Sequence, residues 1–506
     1  MSDTDKPIKT RKANVGSDPT KGSRVKLWQI GLYALAIGAS VILVLVNIAM
    51  ILSGAFSPIL AVIAVLIIGL SWGLVVAKDD RFEGPAGLKI AGAEPALRDF
   101  VSLVADQVEA PMPDEIYLVA EADLALTDAT KFFGLKVDKT GLSIGMPLMR
   151  GFSRQEFAAL LAHELAHRTE TDVAHGPRAI RALQAAHDLI AVERKGFVNG
   201  IYGSYARKMF RSVGGVGVAQ EEAADRLAAQ AFGTVALVSA LERYDDVVAA
   251  FDQMLRDYVV PALQSGSHPA ELFEGFGELL NSSARADARI GDVERRHARE
   301  RNEFELHRTP AERLATIRQW PACEPAHKLD GGDAPAHTLL DESEKSAVIV
   351  VGTWSSTLVT DRTEARTWQE LADEVYSVRT HHIASSPFDD EGDDEGEDGG
   401  HVDPTSRFDQ ALAWAAAADW DRVDETIAKP LKKFDEGIER RAEWARCVVV
   451  EAAAANPGFH WQHSWDGPPL LVDPAGRAFN PAVAVEALIA GDSDAARSAM
   501  PAVAHR

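Results

Sequence analysis

The chain has 506 residues, enough for roughly two or three domains, and 46% of them are hydrophobic, ample for packed cores. A formal net charge of -23 argues against nucleic acid as a partner, because a phosphate-binding surface needs clustered Lys and Arg. Cys323 and Cys447 are the only cysteines and lie far apart, so no disulfide framework and no CxxC metal site is on offer, which suits a reducing compartment.

Residues 1–26 are polar and form the one basic part of the chain: Lys6, Lys9, Arg11, Lys12, Lys21, Arg24 and Lys26 stand against Asp3, Asp5 and Asp18. They read as a disordered arm. Leu27 to Leu52 then runs without a charge, with Trp28 and Tyr33 where an interfacial anchor sits. After a short loop, Ile59 to Ala77 is again uncharged and long enough to cross a hydrocarbon core of roughly 30 Å. A secretory signal would have a shorter apolar region and a small-residue cleavage site. Residues 27–77 are therefore expected to be two transmembrane helices joined as a hairpin. The basic arm stays in the cytoplasm and two crossings return the chain to the same side. The expectation is a multi-pass protein of the cell membrane, in contact with the lipid bilayer, with everything after Lys78 cytoplasmic.

An amphipathic helix is expected over about 85–110, with Leu97, Phe100, Val101 and Val104 at helical spacing. Glu115 to Val119, Phe132 to Val137 and Leu142 to Met146 read as short strands, parted by turn signals such as Asp138-Lys139-Thr140-Gly141. This small sheet leads into Ser153 to Arg168, SRQEFAALLAHELAHR. Ser153 and Glu156 make a capping box that starts a helix. His163 and His167, four apart, share one face and can present imidazole nitrogens to a single tetrahedral ion. Glu164 lies about 100° round the axis, able to reach a water at the ion without ligating it. That is the layout of a zinc hydrolase with a general base. An edge strand beside such a site either holds an extended peptide by backbone pairing or only packs under the helix.

The stretch IGMPLMRGFSRQEFAALLAHELAHR, Ile144 to Arg168, resembles the signature of the HtpX and CAAX prenyl endopeptidase superfamily of membrane-associated zinc metallopeptidases, in which a strand and a GLPLL-like turn precede HExxH. Glu221 to Gly233, EEAADRLAAQAFG, is similar to the family's ExxAD helix. His307 to Arg313 has the spacing of its HPxxxxR stretch, although Arg308 stands where proline is usual; Thr309 can cap a helix there with Pro310 at its first position. The resemblance covers roughly residues 110 to 320. It implies one Zn2+ per chain held by His163, His167 and Glu221, with the fourth position left for water. Glu164 would take the water's proton and pass it to the leaving amine. Asp225 would accept a hydrogen bond from a ligating imidazole and fix its tautomer. His307 and Arg313 would donate to the developing oxyanion. On spacing alone Glu222 competes with Glu221, but the family's Ala then Asp after the ligand, matched by Ala224 and Asp225, selects Glu221.

Two departures bear on substrate and topology. Many relatives insert membrane helices between HExxH and the third ligand, whereas Arg168 to Gln220 has no apolar run of that length. The asparagine-alanine pair common ahead of the family's substrate-side strand is not evident either, the nearest stretch being Leu126-Thr-Asp-Ala129, which leaves substrate preference open. Gly196 to Val218 mixes Phe197, Tyr202, Tyr205 and Phe210 with Arg207, Lys208 and Arg211. A partly buried surface helix is expected there, with lipid contact or cover of the cleft as alternatives.

Thr234 to Gln264 and Pro269 to Trp320 are helical by pattern and finish a peptidase domain expected over 78–325, followed by a helical extension, 326–387. Phe388 to Gly400 holds eight acidic residues among glycines and reads as an unfolded linker, 388–403. Residues 404–506 read as a mainly helical accessory domain around Trp414, Trp420 and Trp444, with a hairpin at Leu470 to Phe479 turning on Asp473-Pro-Ala-Gly476. His460 and His463 are expected in loops. The fold expected is thus α+β, mainly α: a transmembrane helical hairpin, a zincin-like metallopeptidase domain with a small sheet, and a helical accessory domain. The function expected is a membrane-anchored zinc endopeptidase acting on membrane or misfolded proteins. The alternative, a catalytically silent membrane scaffold that binds partners through its C-terminal region, is disfavoured by the intact Glu164.

Overall fold

The computed structural model describes residues 19–75, 84–90, 92–131, 136–169, 203–209, 215–298, 308–358, 363–388, 403–428, 431, 437–467 and 469–501. Most of the basic arm, His307, nearly all of the acidic linker and most of the expected strand Phe132 to Val137 lie outside the described residues. The chain is mostly helical with small sheets and divides into two compact units, Met1–Phe251 with Ala288–Trp354, and Asp252–Asp287 with Ser355–Arg506.

The first unit opens with helices α1 (Pro19–Leu52) and α2 (Pro58–Val75). Tyr33–Leu52 is one helix long and apolar enough to cross a membrane, and the apolar run of α2 with described side chains, Pro58–Gly69, is shorter. Leu27, Ile42, Leu52, Ile59 and Val65 are exposed. Two polar side chains of α1 turn back on their own helix: Ser40 Oγ donates to the Ala36 carbonyl and Asn47 Nδ2 to the Leu43 carbonyl, both at 2.8 Å. This pairing satisfies both side chains within the helix itself.

Strands β1 (Gly87–Lys89), β2 (Glu115–Val119), β3 (Leu124–Lys131) and β4 (Lys136–Gly145) form one sheet in the order β1-β2-β4-β3. β2 pairs with β4 in parallel, and the other two ladders are antiparallel. Helix α3 (Pro95–Gln107) buries Leu97, Phe100, Val101 and Val104 as its spacing predicted, although β1 occupies the place where that helix was expected to begin. The sheet corrects two further expectations. Asp138 to Gly141 is not a turn but part of β4, and the register slips there because Ala129 faces Lys139 while Thr130 faces Val137, so Asp138 is bulged out. β3, unexpected from sequence, is the edge strand beside the motif helix. Gly145 closes β4 because the backbone of 121–123 lies against it: a Cβ there would stand 2.2 Å from the Glu121 carbonyl oxygen.

Helix α4 (Met146–Gly151) leads through Ser153 into α5 (Arg154–Ala166), which carries the motif. The capping box forms as read: Glu156 N–H donates to Ser153 Oγ at 3.3 Å, and Ser153 N–H to Glu156 Oε2 at 2.8 Å. The remaining amides of the first turn are taken by a loop far along the chain. Arg154 N–H donates to the Ala334 carbonyl at 2.8 Å and Gln155 N–H to that of Gly332 at 2.9 Å. The unit that holds α5 therefore runs past 325 and ends at Trp354, while Asp252–Asp287 belongs to the other unit. α5 packs against α6 (Gly215–Phe232), and through Phe157 it stacks on Phe100 of α3 with ring centroids 6.0 Å apart. Gly233, at φ +95°, turns the chain from α6 into α7 (Thr234–Met254), a left-handed backbone that only glycine adopts cheaply. Helix α8 (Pro310–Ile317) completes the surroundings of α5, capped by Thr309 and Glu312 with Pro310 at its first position.

The second unit is built round the fully buried Trp444, with Trp414 and Trp420 at ring-centroid distances of 6.4 and 6.3 Å. Ile383, Phe408, Leu412, Val448 and Leu488 share that core, so residues of the expected extension and accessory domain pack together. The Asp473–Gly476 turn is present, with Gly476 at φ +75°, but the ladder of Leu470–Val472 is with His460–Gln462; the far arm of the expected hairpin adds one bridge, Val472 to Ala478. His460 thus lies in a strand where a loop was expected, while His463 lies in a loop as expected, its ring 5.7 Å from Tyr258, 5.6 Å from Trp368 and 4.2 Å from Trp465.

Candidate metal centre

His163 sits in the last turn of α5, and His167 follows as its C-cap with helical φ, ψ of −60° and −13°. Their rings meet edge to face at 4.9 Å. Glu221, on the face of α6 that packs against α5, is 3% exposed. Its Oε2 lies 3.6 Å from His163 Nε2 and its Oε1 3.4 Å from His167 Nε2. A tetrahedral ion with ligand bonds of about 2.1 Å needs donors about 3.4 Å apart. The two imidazole nitrogens and one carboxylate oxygen, all within 4.8 Å of one another, fit one such ion.

Asp225 lies one turn beyond Glu221, with Oδ1 2.9 Å from His163 Nδ1. If Nε2 is to face an ion, the imidazole proton belongs on Nδ1, where it is donated to Asp225. Behind this pair stands Arg313 of α8, whose Nη2 donates to Asp225 Oδ1 at 2.5 Å and whose Nε donates to Oδ2 at 3.2 Å. Burial pushes the Asp225 carboxyl up, but its interactions with His163 and with the Arg313 guanidinium, hydrogen bonds included, prevail and hold it well below the usual carboxylate range. Burial likewise opposes the charge on Arg313, and Asp225, Glu221 and Glu164 together push its pKa up.

Glu164 is half-buried, and its Oε1 accepts a hydrogen bond from the backbone N–H of Leu126, on the edge strand β3, at 3.0 Å. Glu222 points elsewhere, pairing with Arg226 at 2.7 Å across one turn. Arg226 in turn lies over the Trp320 ring, 4.4 Å from its centroid. Of the two adjacent glutamates, Glu221 is the one that faces the histidines.

His163, Glu164, His167 and Glu221 line a cavity of about 480 Å³ whose wall includes Leu124 to Leu126 of β3, Arg308 and Tyr244. Arg168, also in the wall, is held by Asp128 at 3.2 Å and by the Thr140 hydroxyl. Arg308 donates to Thr316 Oγ1 at 3.1 Å. The Tyr244 phenol is pushed above its ordinary range by burial first, then by the negative charges of Asp123, Glu164 and Asp245, so it keeps its proton. The structure thus brings together His163, Glu164, His167, Glu221, Asp225 and Arg313; His307 lies outside the described residues. Sequence reasoning missed the edge strand and Tyr244. Leu124 to Lys131 has little strand propensity of its own, and Tyr244 falls in an ordinary amphipathic helix pattern that carries no chemical signal.

Neither the curated proteins nor the solved structures gave a match to the chain. A family model does match, that of peptidase family M48, over residues 93–320. The matched stretch, under half of the chain, includes the HExxH helix, Glu221, Asp225 and Arg313, and over it the chain is similar to peptidase family M48, which supports the M48 zinc metallopeptidases of the HtpX and CAAX protease superfamily.

Proposed function

We propose that the protein is a membrane-anchored, HtpX-like zinc endopeptidase that cleaves membrane or misfolded proteins at the cytoplasmic face. The observation that carries the reading is the spacing of His163 Nε2, His167 Nε2 and the Glu221 carboxylate, with Glu164 beside them in one cavity. These three residues would hold the zinc, which when bound supplies positive charge to polarise the scissile carbonyl and to acidify water. Glu164 takes the water's proton and returns it to the leaving amine. Asp225 fixes the proton of His163 on Nδ1, and Arg313, bound to Asp225 by two hydrogen bonds, keeps that carboxylate in place. This gives Arg313 an orienting part in place of the oxyanion contact that the resemblance implies; His307 remains a proposed oxyanion donor.

Substrate lies extended along β3, whose Leu126 amide faces the site and offers backbone pairing independent of side-chain sequence. The exposed apolar surfaces of α1 and α2 and the internally paired Ser40 and Asn47 support a two-helix membrane hairpin with the rest of the chain cytoplasmic. Tyr205 supports an interfacial position for 203–209, since its hydroxyl donates to the carbonyl of Trp28, at the start of the apolar run, at 2.6 Å. The test is zinc content of the purified full-length chain alongside casein cleavage, with and without chelator. About one zinc per chain and chelator-sensitive cleavage are expected; a metal-free chain that cleaves casein would refute the reading.

A further inference from the structure

This inference rests on the peptidase reading above and concerns the oxygen that becomes negative. When water adds to a peptide carbonyl, a C–O bond forms, the π pair of the carbonyl moves onto its oxygen, and the water's proton goes to Glu164. The charge on that oxygen is best stabilised by a donor already fixed in place. Apart from the two histidines, four side chains of the described residues in the cavity wall carry N–H or O–H groups: Arg168, Tyr244, Arg308 and Arg313. Arg168 is held by Asp128 and Thr140, Arg308 by Thr316, and Arg313 by Asp225. Among the described residues, the Tyr244 hydroxyl makes no hydrogen bond.

Its position is rigid. Tyr244 and Leu241, three apart on α7, both line the cavity. The same helix is anchored on both sides of them: Ser239 Oγ donates to Glu156 Oε1 at 2.5 Å, and Val247 packs so closely on Gly151 that a Cβ there would stand 2.5 Å from it. We propose that Tyr244 is an oxyanion donor of this site, its phenolic O–H hydrogen-bonding the former carbonyl oxygen in the tetrahedral state. No proton is transferred by it. When the carbonyl re-forms, the C–N bond breaks, the amine leaves with the proton from Glu164, and the hydroxyl is free again.

The experiment compares full-length, zinc-loaded wild type with Tyr244→Phe, which keeps the ring and removes only the donor. Zinc content and thermal midpoint should be unchanged, KM should stay within about threefold, and kcat should fall about 10²- to 10³-fold. Affinity for a phosphinic peptide, whose oxyanion mimics the tetrahedral state, should fall in proportion, while a product peptide binds as before. A kcat within about threefold of wild type, a loss that tracks zinc release, or an unchanged phosphinic affinity would each overturn the assignment. Should Tyr244→Phe not fold, ring-fluorinated tyrosine at 244 decides: its more acidic O–H should tighten phosphinic binding, and no change overturns the assignment. A wild type whose cleavage ignores chelator overturns the peptidase reading and this inference with it. Chelator-sensitive wild type beside an unimpaired Tyr244→Phe overturns the inference alone.

Discussion

Replacing Asp225 by Asn removes one charge without changing the shape of the side chain, and the structure sets the size of the effect. Asp225 is 3% exposed, and the side chain of its partner Arg313 is 12% exposed, so the substitution leaves a guanidinium stranded out of water. Breaking a buried pair from one side costs about 3–5 kcal/mol, against a few tenths for a half-buried helix pair such as Glu222 with Arg226. Because Asn can still accept one of the two hydrogen bonds, a loss of about 3 kcal/mol is expected in metal-free protein. A second loss is separate: His163 is no longer held by a charged acceptor, and zinc affinity should fall about 10- to 100-fold. Urea unfolding of chelator-treated protein reads the first, and competition with a zinc indicator reads the second. Adding Arg313→Met to Asp225→Asn removes the stranded charge, so the double variant should regain most of the stability and none of the affinity. A single variant that loses less than about 1 kcal/mol and binds zinc as wild type does would refute the reasoning.

Glu164→Gln should keep zinc and fold but lose peptide hydrolysis, and unchanged turnover would remove Glu164 from the mechanism. Glu221→Gln should strip most of the bound zinc, whereas Glu222→Gln, which breaks only an ion pair with Arg226, should leave metal content near wild type; the opposite pattern would reverse the assignment. Reporters fused before Met1 and after Arg506 should both be cytoplasmic if α1 and α2 form a hairpin, and a reporter outside at either end would overturn that topology.

The motif helix was legible because its signals are local. Ser153 with Glu156, and Thr309 with Pro310 and Glu312, settle their helix starts within four residues, and His163 with His167 needs only the helical repeat. The Glu221 register followed from the order of neighbouring residues in the same way. What sequence did not disclose depends on partners far along the chain. β3 is a strand because β4 lies beside it, and Thr140, buried under Asp128 and Arg168, explains why Asp138 to Gly141 runs on as strand where it resembled a turn. The limits of the unit that holds the site were hidden for the same reason, since the acceptors for the first amides of α5 are the carbonyls of Gly332 and Ala334. Tyr244 drew no notice because its neighbours along the chain are an ordinary helix face.

The bond from the Leu126 amide to Glu164 ties the acid–base group to the strand on which a substrate would lie. An N–H has one proton to give, so when an extended peptide pairs with β3 in the manner proposed, its carbonyl displaces the carboxylate from that amide. On that reading Glu164 Oε1 would be held by the strand while the cleft is empty and freed by the docking of a substrate. A charge-assisted bond of this kind is worth about 1.5–3 kcal/mol, and the docking strand makes good that loss with a bond of its own. A fragment too short to reach Leu126 supplies no such replacement. On the proposed binding mode such a fragment would turn over slowly, so that a single backbone hydrogen bond would favour the cleavage of longer peptides.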